Sequence, residues 1–292
     1  MEAAGIIGLG IMGGAMARNL RAAGWRVLGY DPDPARTAVL ADAGVETLDS
    51  AEAVARASPV LMTSLPSPAA LHATAAAIAA SGSERRLVVE ASTMTLEDKL
   101  AFAATLRRAG HVALDCPISG TGAQAKTKDL VIYASGDGAE IARLRPFLEG
   151  FARSVHDLGA YGNGSRMKYV ANLLVAIHNV ATAEAVVLGR KAGLDPKQVV
   201  ELVAAGAGNS RVFELRAPLM AENRYDDPTM KVSIWQKDMA IIGAYAAGLG
   251  APTPLLSATV PIYASAMATG HAEHDTAAVC AVLEAMAGIP RD

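Results

Sequence analysis

The chain has 292 residues, enough to bury a large core and to form two domains. Hydrophobic residues make up 52%, charged residues 19%, and the formal net charge is −3, so the basic footprint of a nucleic-acid binder is missing. No apolar run of bilayer length is evident, and MEAAGIIGLG reads straight into a strand without a charged leader and cleavage site, so no membrane partner and a cytoplasmic location are expected. Cys116 and Cys280 have no metal-type spacing and read as reduced, buried thiols; no metal is expected.

The first half alternates strand and helix. Ala3 to Ile7 is a short apolar run that ends in Gly8-Leu9-Gly10-Ile11-Met12-Gly13. From Ile11 to Ala23 the pattern turns helical, with Met12, Met16 and Leu20 four apart. A second run, Arg26 to Tyr30, ends at Asp31. Strand, glycine turn, helix, strand and acid in this order form a dinucleotide-binding unit. The glycines let the backbone approach a pyrophosphate, and the helix N-terminus offers it free N–H groups. Gly8, Gly10, Ile11, Met12 and Gly13 are therefore cofactor candidates. Asp31 lies near the separation expected of an acid that binds ribose hydroxyls. Its carboxylate repels a 2′-phosphate, Pro32 follows where a cation would favour NADP, and Arg36 reads as a solvated helix residue. NAD is expected over NADP.

Pro59 to Leu65, Leu87 to Glu90 and His111 to Leu114 read as further strands. Their C-terminal ends face one crevice in a doubly wound sheet, which adds Leu65 and Thr93 to the cofactor candidates. Gly120 to Thr127, GTGAQAKT, narrowly misses a P-loop, because Ala125 stands where the loop needs glycine, and an NTPase is rejected. Ser119, Gly120 and Thr121 read as the start of a helix able to hold a carboxylate. Leu130 to Ala134, a helix from about Ala139 to Leu148, and Ser154 to Asp157 complete the alternating half.

The second half is helical. Met167, Val170, Ala171, Leu174, Ile177 and Ala181 recur at spacings of three and four, which predicts one long helix from Ser165 to about Lys191. Helices follow at about Lys197–Ala204, Thr229–Gly248, Pro254–Thr269 and Thr276–Ala287. The fold class is an α/β Rossmann-type domain, residues 1–163, joined by a long helix to an all-α domain, residues 164–292. Long apolar helices of this kind commonly pair with a second subunit, so a homodimer or homotetramer is expected.

Four separated motifs carry a resemblance that covers nearly the whole chain: GLGIMGGAMARNL at Gly8 to Leu20 with Asp31, DCPISGTGAQAKTKDL at Asp115 to Leu130, GNGSRMKYVAN at Gly162 to Asn172, and Lys237-Asp238. With them the chain resembles the β-hydroxyacid dehydrogenase family, which includes 3-hydroxyisobutyrate dehydrogenase, tartronate semialdehyde reductase and threonate dehydrogenase. The second motif looks like that family's substrate loop, and the third resembles its catalytic GxGxxxKxxNN. Thr121, Gln124 and Lys128 replace family glycines, and Ala171 replaces the first asparagine. AGNSRVFELR, Ala207 to Arg216, looks most like the threonate-type members and suggests a small polyhydroxylated acid.

The resemblance implies that Lys168 is the general acid/base in hydride transfer between NAD and a small hydroxy acid, with Asn172 one helical turn on. A free lysine titrates near about 10.4. General-base work at neutral pH therefore needs partial burial or a neighbouring cation such as Lys237. Lys237 itself reads either as a cofactor or carboxylate contact or as a surface lysine paired with an acid. His178 reads as a satisfied helix residue, and His271 and His274 lie in a polar turn. Two competing readings are a dehydrogenase-like scaffold that binds NAD without turnover, and an imine reductase. Lys168 and Asp31 argue against the latter, whose members typically lack the lysine and use NADP.

Overall fold

The computed structural model describes residues 3–290. The chain divides into two compact units, Met1–Lys168 and Tyr169–Asp292. The first is built on a six-stranded parallel sheet of β1 (Ala3–Ile7), β2 (Arg26–Tyr30), β3 (Glu46–Thr47), β4 (Val60–Thr63), β5 (Leu87–Glu90) and β6 (Val112–Asp115). The strand order is β3-β2-β1-β4-β5-β6, the doubly wound arrangement whose order reverses between β1 and β4. The crossover helices are α1 (Ile11–Ala22), α2 (Pro34–Ala41), α3 (Ala51–Ala57), α4 (Pro68–Ala80) and α5 (Leu96–Arg108).

The strands read as unbroken apolar runs because both faces of the sheet are covered. Alternate residues feed two cores. Ile6, Met62 and Val89 join Met16, Leu20 and Phe147 on one face, while Ile7, Leu61 and Val88 join Val54, Leu71 and Phe102 on the other. Beyond β6 come β7 (Ile118–Ser119), α6 (Gly122–Lys126), β8 (Val131–Ala134), α7 (Gly138–Glu149) and β9 (Ser154–Asp157), and the order β7-β8-β9 forms a small second sheet. The expected strand 59–65 shortens to β4, because past Thr63 the backbone turns away and the Leu65 N–H donates to Ser92 Oγ at 2.7 Å instead. The strand expected from His111 begins one residue later, at Val112. Ser119 belongs to β7 rather than to a helix start, and Thr121 is the N-cap of α6.

The long helix α8 (Asn163–Lys191) has 29 residues, and the division between the two units falls inside it, after Lys168. By length and composition it could cross a membrane, which corrects the expectation that no apolar run is long enough. The core helix of a folded domain passes the same test. Ala176, Val180, Ala183 and Val186 of α8 are buried in the core of the second unit. The other helices of that unit are α9 (Pro196–Ala204), α10 (Arg211–Ala221), α11 (Val232–Gly248), α12 (Pro254–Ala268) and, after a 3-10 turn at Thr276–Ala278, α13 (Val279–Met286). The sequence reading did not place α10. Ser210 caps it by accepting from the Phe213 N–H at 3.0 Å, and the interior Pro218 obscures its periodicity. Cys116 and Cys280 are buried thiols.

Candidate active site

The glycine turn lies at the C-terminal end of β1, beside the point where the strand order reverses. A Cβ at Gly13 would stand 1.9 Å from the Gly8 carbonyl oxygen, so only glycine lets α1 come this close to the turn. Gly10 is the N-cap of α1 and has no side chain to close it. The first-turn N–H groups of Ile11, Met12 and Gly13 have no partner within the helix. A phosphate matches that set of donors. Asp31, 6% exposed, follows β2 and accepts from the Leu9 N–H at 2.8 Å and from the Asp33 N–H at 2.9 Å. Leu65 leans toward the same turn, since a Cβ on Gly8 would meet its Cδ2 at 3.4 Å. Its neighbour loop carries Thr93, half-buried just past β5. These residues fit a dinucleotide.

Arg36 is exposed on α2, as expected, and it also meets two acids. Its guanidinium is 3.4 Å from Asp31 Oδ2 and 3.3 Å from Asp33 Oδ2, and a Cβ on Gly10 would meet it at 3.6 Å. A half-exposed cation thus stands over the turn next to Asp31.

The second group is the loop around α6. Gly120 has φ +139°, and a Cβ there would meet Leu130 at 2.5 Å. The Thr121 N–H donates to Gln124 Oε1 at 3.1 Å, so this expected anion donor is already engaged. Gln124 Nε2 in turn donates to Asp129 Oδ2 at 3.2 Å, and Asp129 Oδ1 accepts from Arg153 at 2.8 Å. Lys128 has φ +60°, the left-handed region in which glycine is at ease, so a glycine in its place would be unstrained. Gln124 and Lys128 shape this loop, and Ser119, half-buried in β7, leads into it.

The third group lies along α8. Lys168 is 8% exposed. Asn172, one turn on and 3% exposed, donates through Nδ2 to Asp238 Oδ2 at 2.9 Å, which turns its carbonyl oxygen away from that acid. Lys237 lies 3.2 Å from Asp238 Oδ1. Asn172, Lys237 and Asp238 thus meet in the second unit. The Asp238 carboxylate serves both neighbours, a role not visible in the sequence. Of the threonate-like segment, Arg216 is consumed in a buried pair with Asp275 at 2.6 Å, and Arg211 pairs with Glu214 at the surface. His271 and His274 bond one another through their Nδ1 atoms at 2.8 Å.

A buried trio went unnoticed in the sequence. Lys99 of α5 is ion-paired with Glu90, the last residue of β5, and is 3.0 Å from Asp115, the last residue of β6. All three are fully buried. Burial alone would lower the lysine pKa, but attraction to Asp115 and Glu90 outweighs it and holds the ammonium above its ordinary range. Removing one partner from such a buried set costs about 3–5 kcal/mol. A signal for it did exist. Lys99 shares the buried face of α5 with Phe102 and Leu106, at spacings of three and four.

A glycine turn beside a buried acid at the switch point of a parallel sheet, followed by a helical unit, has the form of a dinucleotide-binding protein. Comparison with known proteins makes the class specific. Residues 3–159 match the model of the NAD binding domain of 6-phosphogluconate dehydrogenase, and residues 162–283 match that of the NAD-binding domain of NADP-dependent 3-hydroxyisobutyrate dehydrogenase. A probable 3-hydroxyisobutyrate dehydrogenase of Mycobacterium tuberculosis H37Rv is 32% identical, with 98% of this chain and 99% of that protein aligned. An L-threonate dehydrogenase of Cupriavidus necator is also 32% identical, over 94% of each. The crystal structure of 3-hydroxyisobutyrate dehydrogenase from Salmonella typhimurium superposes with a TM-score of 0.89 at 30% identity, covering 97% of this chain and 100% of that one. An imine reductase of Streptomyces aurantiacus, at 20% identity and a TM-score of 0.65, shares the fold. The chain belongs to the β-hydroxyacid dehydrogenase family and is an NAD(P)-dependent hydroxyacid dehydrogenase.

Proposed function

We propose that the enzyme interconverts a small hydroxy acid of the 3-hydroxyisobutyrate, glycerate or threonate type and its carbonyl counterpart, with Lys168 as general acid/base and NAD preferred over NADP. The observation that carries this reading is the pair on α8: a lysine that is 8% exposed, with a buried asparagine one turn further on. Bound through Gly8, Gly10, Ile11, Met12, Gly13, Asp31, Leu65 and Thr93, the nicotinamide cofactor supplies the hydride acceptor.

The chain's own residues do the rest. Lys168 Nζ takes the hydroxyl proton as the C–H bond breaks, and in reverse its ammonium returns the proton and polarises the carbonyl. Asn172, fixed by Asp238, orients the reacting hydroxyl without competing for its proton. The substrate carboxylate is held by the Ser119 hydroxyl and the Gly120 backbone, beside Thr121, whose N–H and hydroxyl both meet Gln124 Oε1. Lys237 neutralises Asp238 and approaches either cofactor or carboxylate. The relatives named for 3-hydroxyisobutyrate and L-threonate support the substrate class, and the engagement of Arg216 removes one cation from the threonate-like segment.

The deciding experiment measures NADH formation at mildly alkaline pH with 3-hydroxyisobutyrate, glycerate, threonate, erythronate and serine, for wild type and Lys168→Ala. The variant is expected to lose about 10²–10⁴-fold in kcat while its NADH affinity stays within twofold. A variant that keeps most of its kcat removes Lys168 from the chemistry. No wild-type turnover with intact NADH binding turns the reading toward a binding scaffold.

A further inference from the structure

Glu90 and Asp115 close two neighbouring parallel strands and stand directly opposite each other in register. Two carboxylates so placed, without water, repel one another, and α5, the helix that links those strands, returns Lys99 between them. Each carboxylate then holds a different part of the first unit. Glu90 Oε1 accepts from the Ser92 N–H at 2.9 Å, and Ser92 Oγ accepts from the Leu65 N–H at 2.7 Å. Asp115 accepts from the Ser165 N–H through Oδ2 and from the Ser165 hydroxyl through Oδ1, both at 2.8 Å. Ser135 adds a hydroxyl bond to Asp115 and accepts from the Gly164 N–H at 2.9 Å. Asp115 thereby caps the first turn of α8 from outside the helix, where a carboxylate is also favoured by the helix dipole. Ser165 precedes Lys168 by three residues, so the bond that anchors one turn sets the direction of the next.

We infer that Lys99 is a positioning residue. By bridging Glu90 and Asp115 it locks the bonded loops of Leu65 and Ser92 to the first turn of α8 and so fixes where Lys168 is presented. This rests on the assignment of Leu65 to the cofactor and Lys168 to proton transfer. The charge makes the lock single-state: neither strand end can relax without leaving a buried carboxylate unpaired.

The test uses the full chain and three variants, each normalised to its number of NADH-binding sites by fluorescence titration. Ser165→Ala cuts one bond at α8. It is expected to lower kcat three- to tenfold and to shift the alkaline limb of the kcat–pH profile, with KM for NAD within twofold. Ser92→Ala frees the Leu65 N–H and is expected to raise KM for NAD at least threefold with kcat nearly unchanged. Lys99→Met is expected to show both changes, larger, and a lower Tm. A Lys99→Met protein that is less stable, yet has wild-type kcat, KM and pH profile per binding site, would show a merely structural ion pair and overturn the inference. If Lys99→Met does not fold, Ser165→Ala decides: an unchanged kcat and pH profile overturns it equally. A wild type that binds NADH but turns over none of the hydroxy acids defeats the enzyme reading alone. The lock is then judged by NADH affinity, and Lys99→Met or, if that variant does not fold, Ser92→Ala within twofold of wild type overturns it.

Discussion

Asp31 and Arg36 form the pair of side chains on which the proposed cofactor preference rests. One carboxylate oxygen takes the Leu9 N–H and the other the Asp33 N–H, so the acid is held rigid at the end of β2. A rigid buried carboxylate accepts from ribose hydroxyls and repels a phosphate. Arg36, half-exposed and within 3.4 Å of Asp31, tempers that repulsion. One charge-assisted bond to a 2′-phosphate is worth about 1.5–3 kcal/mol, roughly ten- to a hundredfold. Arg36→Ala is therefore expected to lower kcat/KM with NADP at least tenfold and with NAD less than threefold, with NAD the better cofactor of wild type throughout. Steady-state kinetics with both cofactors checks this. An equal loss with both would make Arg36 a support for Asp31 and nothing more.

The loop from β7 through α6 to β8 is governed by backbone conformation. Gly120 adopts a left-handed φ that an L side chain resists, and a Cβ there would collide with the buried Leu130. Strain of this kind costs about 1–3 kcal/mol. Gly120→Ala is expected to displace the loop, raising KM for the hydroxy acid about tenfold while NADH affinity is unchanged, because the glycine turn after β1 is a separate structure. Substrate-dependence curves alongside NADH titration check it. A variant with unchanged KM takes the carboxylate away from this loop. The links from Thr121 through Gln124 and Asp129 to Arg153 tie this loop down with side-chain bonds.

Surface character differs between the two units. Val170, Leu174, Leu188, Leu202, Leu255 and Met286, all in the helical unit, are large apolar residues left exposed. Where such residues share one face of a helix, burying them against a second subunit is favourable. Light scattering at micromolar concentration is expected to give two or four times the chain mass. A monomer would refute the assembly and leave those faces to another partner.

Periodicity and glycine spacing were enough to read β1, α1 and β2, because each depends on neighbours within about thirty residues. The long helix was legible for the same reason, and its motif pointed to Lys168 and Asn172. Partnership across the fold was not legible. Asp238 reaches Asn172 over 66 residues, and Arg36, exposed as the pattern suggested, also meets Asp31. Lys99 reads locally as one more lysine on an amphipathic helix. Only the parallel pairing of β5 with β6 brings Glu90 opposite Asp115 and makes a cation between them necessary. The sequence by itself determined most strands, the glycine turn and the long helix, since hydrophobic period and backbone preference are local, while α10 escaped it. The tertiary structure decided which charges are buried together, because the cost of an unpaired charge exists only once the chain has closed around it.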